Sequence, residues 1–338
     1  MKQFGVVTFA LALFAFSSIF SDAQTYKYIR LGNKTDAHVA SRGGFALMGG
    51  GEDLDEAFRW LCNHASGGDL LVLRSHGSDD YNPYIQKLCH LNSVATLIIP
   101  SRAAAHDLFV ARTIAHASVL FISGGDQGEY VNFWMGTPVQ SEINKAIARG
   151  IPIGGTSAGL AVLGEWAYSA QGDKPDDPNL DGELAMTHPF SPRVTLVHGF
   201  LHIPQLSRIV TDTHFATRNR MGRLLTFLAR LDNPAGRLQA SGSPPVRGIG
   251  IEQTAAVLLD PSGKATVVGH GDAYFIDASK ASGTLTPSQP LTYGPYQVQK
   301  VTPGHRFNLK TWTGETTHYS LTVKRAVIHS TQPDGSVY

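Results

Sequence analysis

Short apolar runs alternate with stretches of helical periodicity in the first half of the chain, after a polar lead over residues 24–44. The apolar runs predict strands at 45–48, 70–73, 94–99 and 119–122, with another ending near Ile153. Apolar residues three and four positions apart predict intervening helices over 54–64, 83–91 and 139–149. Uncharged strands separated by helices are typical of parallel sheets covered on both faces. We therefore expect an α/β fold with a mostly parallel sheet and helices on both faces.

The second half of the chain alternates less regularly. Residues 173–192 are rich in Asp, Pro and Gly and predict an irregular loop, whereas 209–212 predict a strand followed by a helix. Residues 249–260 and 265–277 predict paired strands around the turn Pro261-Ser262-Gly263, and the tail alternates weakly. We therefore expect a main domain over 24–277 and a β-rich C-terminal extension over 278–338.

The first residues predict a cleaved secretory signal peptide. One lysine precedes an uncharged, mostly apolar run over 4–20, and small residues follow up to Ala23. An uncleaved membrane anchor is the alternative. We expect the mature chain to begin at Gln24, to be secreted or periplasmic, and to have no stable membrane insertion. The net charge of +1 gives no indication of nucleic-acid binding, and a homodimer stays open.

The chain has two cysteines, Cys62 and Cys89, each near the end of a predicted helix. A disulfide between neighbouring helices and two buried thiols are both compatible with these positions. Neither cysteine belongs to a close Cys pair, so we predict no metal site.

The pentapeptide Gly155-Thr156-Ser157-Ala158-Gly159 has the pattern of a nucleophile elbow. In this motif a strand ends in a tight turn that exposes the serine hydroxyl, and a helix begins at the next residue. Small-residue turns with an incidental serine also match the pattern. Two other glycine turns, at 49–51 and 124–125, follow predicted strands and should lie on the same rim of the sheet.

A serine hydroxyl needs a base, and His214 is the best-placed of the 14 histidines. It follows a predicted strand that ends at Asp212 on this rim. The helix after it carries Arg218, Arg220 and Arg223, which suit a carboxylate-bearing substrate because arginine binds carboxylates with two hydrogen bonds. A solvated basic helix face is the simpler alternative.

The segments GGTSAG, GGDQ and TDTHFATRNRMGRL resemble the cyanophycinase family of serine peptidases, whose relatives include the aspartyl dipeptidases. In that family the segments read approximately G-T-S-A-G, G-G-D-Q and D-Q-H-F-x-x-R-x-R-x-G-R-L. MGGGED and GIGIEQTAAVLL match its first strand and a late strand, so the resemblance covers residues 44–277. It implies a fold similar to the class I glutamine amidotransferases and hydrolysis of cyanophycin or aspartyl peptides without a cofactor.

The resemblance also implies roles for individual residues. Ser157 would be the nucleophile and His214 the base, with backbone N–H groups of Gly125 and Ala158 as oxyanion donors. Substrate-pocket positions would be Gln127, Asp212, Arg218, Arg220 and Arg223. Thr213 stands where the family usually has Gln, and its short hydroxyl cannot make the same contacts as an amide.

The acid of the triad is the least defined position. Asp173 is our prediction, and Asp176, Asp177 and Glu165 are alternatives. Two other functions are open: an esterase of the α/β-hydrolase type with His329 or His318 as its base, and an inactive carboxylate-binding protein.

Overall fold

The computed structural model describes residues 25–173, 180–233, 235, 238 and 245–338. The predicted signal peptide and the alternative acids Asp176 and Asp177 lie outside these residues. Nineteen strands occur in the described part: β1 (Lys27–Gly32), β2 (Phe45–Met48), β3 (Asp69–Arg74), β4 (Ser93–Ile98), β5 (Val119–Ile122), β6 (Ile153–Thr156), β7 (Trp166–Tyr168), β8 (Leu196–His198), β9 (Ile209–Asp212), β10 (Arg247–Ile251), β11 (Ala255–Leu259), β12 (Lys264–Gly269), β13 (Ala273–Asp277), β14 (Ser282–Thr284), β15 (Thr292–Val301), β16 (Arg306–Asn308), β17 (Thr313–Gly314), β18 (Thr317–Lys324) and β19 (Val327–Ser330).

The α-helices of the described residues are α1 (Asp55–His64), α2 (Tyr81–Leu88), α3 (Leu108–His116), α4 (Gln127–Trp134), α5 (Pro138–Ala148), α6 (Ala158–Ala161), α7 (Gly182–Thr187) and α8 (Met221–Asp232). Two short 3₁₀ turns cover Ala104–His106 and Pro204–Leu206.

The strands form two sheets. The first has the order β1-β4-β3-β5-β6-β2-β11-β12-β16-β17, and its central strands β4, β3, β5, β6 and β2 are parallel. The second has the order β19-β18-β15-β13-β10-β9-β7-β8, with β14 beside β15, and is mostly antiparallel. The predicted α/β fold with a parallel core is confirmed. The tail beyond residue 277 supplies strands to both sheets.

Alternating side chains connect the layers. Along β2, Phe45 and Leu47 belong to the core that reaches the second sheet, whereas Ala46 and Met48 pack with α1 on the opposite face. Along β13, the side chain of Phe275 belongs to the core between the two sheets, and that of Tyr274 belongs to the core that the second sheet forms with α8. The period of two along a strand therefore places the second sheet between the first sheet and the α7–α8 layer.

Two long predicted strands are wrong in their extent. Each breaks near its middle, because polar turns at Glu252–Thr254 and 270–272 redirect the chain. The halves β11 and β12 pair in the first sheet, whereas β10 and β13 pair in the second. The predicted loop over 173–192 contains α7, and the polar lead contains β1, which is antiparallel to β4.

The two cysteines form a disulfide. Cys62 in α1 is bonded to Cys89, the residue after α2, across 27 positions of sequence. Closing a loop of this length in the unfolded chain stabilises the fold by about 3.5 kcal/mol. Among the described helices, none combines the length and apolar character that a membrane span requires.

Candidate active site

Ser157 lies in a tight turn between β6 and α6. Its backbone has φ 52° and ψ −116°, a conformation that non-glycine residues rarely adopt and that occurs at nucleophile elbows. A Cβ atom on Gly159 would lie 2.0 Å from the carbonyl oxygen of Ile122, and one on Gly155 would lie 2.6 Å from the carbonyl oxygen of Gly159. Both glycines of the motif are therefore required by backbone crowding.

His214 comes two residues after β9 and is fixed by the glycine turn after β2. Its N–H donates to the carbonyl of Gly49 at 2.8 Å, while the N–H of Ser157 donates to the carbonyl of Met48 at 3.1 Å. Gly50 has φ +99°, and a Cβ there would lie 2.5 Å from the imidazole. The end of β2 thus holds both residues, and a side chain at position 50 would displace the ring.

The serine and the histidine are in hydrogen-bond contact. Ser157 Oγ lies 2.8 Å from His214 Nε2. The other ring nitrogen, Nδ1, lies 2.8 Å from Nε2 of Gln253, which follows β10. This is the geometry of a nucleophile, a base and a residue that orients the base, with an amide in the orienting position.

Gln253 was not among the predicted site residues. It follows Glu252 at the end of an apolar strand, on the same rim of the sheet as Ser157. This position is the feature of the sequence that could have indicated a role in the site. An amide is an uncommon partner for a catalytic imidazole, so the residue type gave little indication.

The imidazole of His214 is buried, with 5% of the residue exposed. Burial lowers the pKa of His214 to about 4, and the charges of Arg218 and Arg220 act in the same direction. Glu252 and Asp212 oppose this shift. The ring is therefore neutral at neutral pH, which is the state that can accept the serine proton.

Glu252 fixes the backbone that follows His214. Its carboxylate accepts hydrogen bonds from the N–H of Ala216, from the N–H of Thr217 at 2.9 Å and from Thr217 Oγ1 at 2.6 Å. Of the two residues after β10, Gln253 therefore contacts the imidazole of His214, and Glu252 hydrogen-bonds the backbone that follows His214.

The two predicted oxyanion donors lie at strand ends beside Ser157. Ala158 is the first residue of α6, and Gly125 follows Gly124, on which a Cβ would lie 3.5 Å from Ser157 Cβ. Within the described residues, neither the N–H of Gly125 nor that of Ala158 has a protein acceptor. Both donors are thus available to an oxygen bound next to Ser157.

The structure does not bring Asp173 to His214. Its carboxylate accepts from Tyr168 Oη at 2.9 Å and from Arg193 Nε at 3.1 Å, and burial raises its pKa. Glu165, the alternative, accepts from Ser207 Oγ at 3.0 Å and from the N–H of Arg208. The ring nitrogen that a triad acid would meet is in contact with Gln253 instead.

The five predicted substrate-binding residues fall into two groups. Asp212 and Arg223 are 1% and 2% exposed and bind each other at 2.8 and 2.5 Å, so they stabilise the junction of β9 and α8 and do not line a pocket. Arg220 is also buried, and its Nη1 donates to the carbonyl and Oγ1 of Thr213, both at 2.8 Å.

Arg218 and Gln127 are accessible. Arg218 is exposed, and Gln127 is half-buried at the start of α4, two residues after Gly125. Neither side chain makes a hydrogen bond or ion pair with another residue in the part of the chain that the structure describes. Arg218 lies close enough to His214 to lower its pKa. Of the three predicted arginines, Arg218 is therefore the accessible one.

The histidines of the esterase alternative lie in other contacts. His318 Nε2 is 2.7 Å from Thr316 Oγ1, and His329 is exposed on the edge strand β19. The structure pairs Ser157 with His214. Among the described residues, no cluster of three or more His, Cys, Asp or Glu side chains is arranged to hold a metal ion.

An α/β fold with a serine at a strand-to-helix turn, bonded to a buried neutral histidine, defines a serine hydrolase. Residues 47–228, more than half of the chain, match the sequence profile of peptidase family S51. The chain therefore belongs to peptidase family S51 and is a serine peptidase.

Curated relatives agree with this assignment, and a solved structure agrees with the fold. The cyanophycinase of Synechococcus elongatus is 25% identical over 292 residues, which are 82% of each chain. That of Trichormus variabilis is 27% identical over 221 residues, 64% of this chain and 65% of its own. That of Geminocystis herdmanii is 25% identical over 285 residues, 80% of this chain and 95% of its own. The fold is similar to that of a peptidase from an acI-B1 Actinobacterium, with a TM-score of 0.50 and 16% identity over 80% of this chain and 98% of that one.

The low pKa of His214 predicts how the reactivity of Ser157 depends on pH. Because only the neutral ring accepts the serine proton, labelling by a fluorophosphonate should reach half its maximal rate near pH 4. A Gln253→Glu substitution places a negative charge beside Nδ1, favours the charged ring and should move this midpoint about one to three units higher.

The control for this measurement is Gln289→Glu, which makes the same charge change at an exposed position between β14 and β15. It should leave the midpoint unchanged. Equal midpoints for the wild type and Gln253→Glu would show that residue 253 does not face the reacting imidazole.

Proposed function

We propose that this protein is a secreted exopeptidase of the cyanophycinase type that hydrolyses cyanophycin or other aspartyl and β-aspartyl peptides through an acyl-enzyme on Ser157. The 2.8 Å contact between Ser157 Oγ and His214 Nε2 is the observation that carries the proposal. The substrate class is supported by the exposed Arg218, whose charge acts on His214, and by the cyanophycinases among the relatives.

The chemistry follows from these contacts. His214 Nε2 takes the proton of Ser157 while Oγ attacks the carbonyl carbon, and the oxygen that becomes negative accepts from the N–H groups of Gly125 and Ala158. The protonated ring then gives its proton to the leaving nitrogen, which leaves an ester on Ser157. A water molecule, deprotonated by His214, hydrolyses the ester and releases the acid.

This sequence requires an unprotonated Nε2 and therefore a proton on Nδ1. The amide nitrogen of Gln253, Nε2, lies next to Nδ1. A half-turn of the amide about its last side-chain bond exchanges Nε2 and Oε1, so that the oxygen faces Nδ1 and meets this requirement. The carbonyl oxygen then accepts from Nδ1–H and fixes the reactive tautomer. Gln253 thus acts in the proposed mechanism as the positioning residue for which Asp173 was predicted.

Hydrolysis of cyanophycin tests Ser157 as the nucleophile. The wild type should release β-aspartyl-arginine dipeptides, identified by mass, and Ser157→Ala should lower the rate by more than about a thousandfold. His214→Ala should have a similar effect, whereas His329→Ala should retain the wild-type rate.

Two outcomes would contradict the proposal. Undiminished release by Ser157→Ala would exclude the acyl-enzyme on this residue, and loss of activity only in His329→Ala would favour the esterase mechanism. A wild type that neither reacts with a fluorophosphonate nor cleaves cyanophycin would favour the inactive carboxylate-binding protein.

Arg218 provides the test of substrate class. Removing its charge with Arg218→Gln should raise KM for an aspartyl peptide about tenfold, because a charge-assisted hydrogen bond to the substrate carboxylate is lost. The matching peptide with that carboxylate amidated should be cleaved equally by both proteins.

An exposed arginine on β16 supplies the control, since Arg306→Gln makes the same change in the first sheet away from Ser157. An equal loss for the acidic and the amidated peptide would show that Arg218 does not recognise the carboxylate.

Secretion is supported by the apolar N-terminal run and by the Cys62–Cys89 disulfide, which is typical of oxidising compartments. Expressed with its full sequence, the exported protein should begin at Gln24, and its intact mass should lack the two thiol hydrogens. A product that keeps residues 1–23 and stays in the membrane fraction would indicate an anchor.

A further inference from the structure

The segment between β9 and α8, which we call the histidine loop (residues 213–220), carries His214 and Arg218. Two of its non-glycine residues, His214 and Asn219, have positive φ values of 47° and 48°. Such conformations persist only where surrounding contacts hold them. Glu252 holds one side of the loop through Ala216 and Thr217.

Tyr338 holds the other side of the histidine loop. Its phenol oxygen accepts from the N–H of Met221, the first residue of α8, at 3.0 Å and donates to Asn219 Oδ1 at 3.2 Å. Arg220, the N-cap residue that precedes α8, makes no side-chain capping hydrogen bond to this helix. A residue 117 positions away in sequence therefore supplies the hydrogen bond that a capping side chain would otherwise make.

The ring of Tyr338 also contacts the residue next to the base. It packs edge-on against Phe215 at 5.9 Å and against Tyr274 at 5.8 Å between ring centroids. On its other side Phe215 touches Gly250, where a Cβ would lie 2.5 Å from the ring. Phe215 is thus enclosed between β10 and Tyr338, and it directly follows His214 in the chain.

The tail that carries Tyr338 is itself fixed. Tyr319 Oη of β18 donates to the carbonyl of Val337 at 2.9 Å, and Gln332 Nε2 donates to the carbonyl of Ser336 at 2.8 Å. Burial raises the pKa of Tyr338 to about 12, so the phenol keeps its proton for the bond to Asn219 at neutral pH.

We propose that Tyr338 is a positioning residue that holds the histidine loop, and with it His214 and Arg218, in the orientation that Ser157 requires. This inference rests on the proposed function, because it assumes that Ser157 reacts through His214. Tyr338 touches neither reacting residue and acts through Phe215, Asn219 and Met221.

The experiment compares two substitutions, each of which removes one phenol hydroxyl. In each case the hydroxyl makes hydrogen bonds to α8 or to the residues directly before it. Tyr338→Phe removes the bonds to Met221 and Asn219, whereas the control Tyr296→Phe removes the 3.0 Å bond to the carbonyl of Leu225 in the middle of the helix. Both retain the aromatic ring, and near-UV circular dichroism at the assay temperature checks that both are folded.

Tyr338→Phe should lower the rate of fluorophosphonate labelling of Ser157 about three- to tenfold, the range of one or two hydrogen bonds. It should also lower kcat for an aspartyl peptide by a similar factor. Tyr296→Phe should lower the melting temperature at least as much and leave the labelling rate at the wild-type value. Tyr338→Ala, which also exposes Phe215, should label more slowly than Tyr338→Phe.

Two results would overturn the inference. Wild-type labelling by Tyr338→Phe would show that the loop holds its geometry without the phenol. Equal slowing by Tyr296→Phe would show that any loss of stability in α8 has this effect. An unlabelled wild type would instead contradict the proposed function, so the two failures are distinguishable.

Discussion

Close approach of the backbone where β5, β6 and β2 end is the constraint on which the rest of the site depends. The carbonyl of Ile122 leaves no room for a side chain on Gly159, and the imidazole of His214 leaves none on Gly50. Because these contacts fix the serine turn and the ring separately, Oγ and Nε2 meet at 2.8 Å. The cost is the positive φ of Ser157 and His214, which the surrounding hydrogen bonds maintain.

The parallel core was predictable because its strands are continuous apolar runs and its helices have local periodicity. The second sheet was not, although β10 and β11 lie within one apolar stretch interrupted only by Glu252, Gln253 and Thr254. Composition indicates a strand, whereas the choice of sheet depends on partners far away in sequence, such as β9 for β10 and β2 for β11. This choice is a property of the whole fold.

The site shows the same division between local and long-range information. Ser157 could be predicted because its motif describes a local turn, and His214 because a strand end fixes its place on the rim. The roles of the arginines could not, since spacing along a predicted helix does not reveal that Arg218 and Arg220 precede α8. Nor does it reveal that Arg223 is buried against Asp212 while Arg218 stays exposed. Gln253 contacts a ring 39 positions earlier in the sequence, and no local pattern connects the two.

The contacts of Glu252 and Gln253 explain why the base is neutral. A carboxylate in contact with Nδ1 would favour the charged ring. The carboxylate at this strand end, that of Glu252, instead accepts hydrogen bonds from the backbone N–H groups of Ala216 and Thr217. The ring instead meets an amide, which orients it without adding charge. Burial and the nearby arginines then lower the pKa of His214, and the charges of Glu252 and Asp212 offset only part of this shift. A neutral partner therefore keeps the proton-accepting state of His214 populated well below neutral pH.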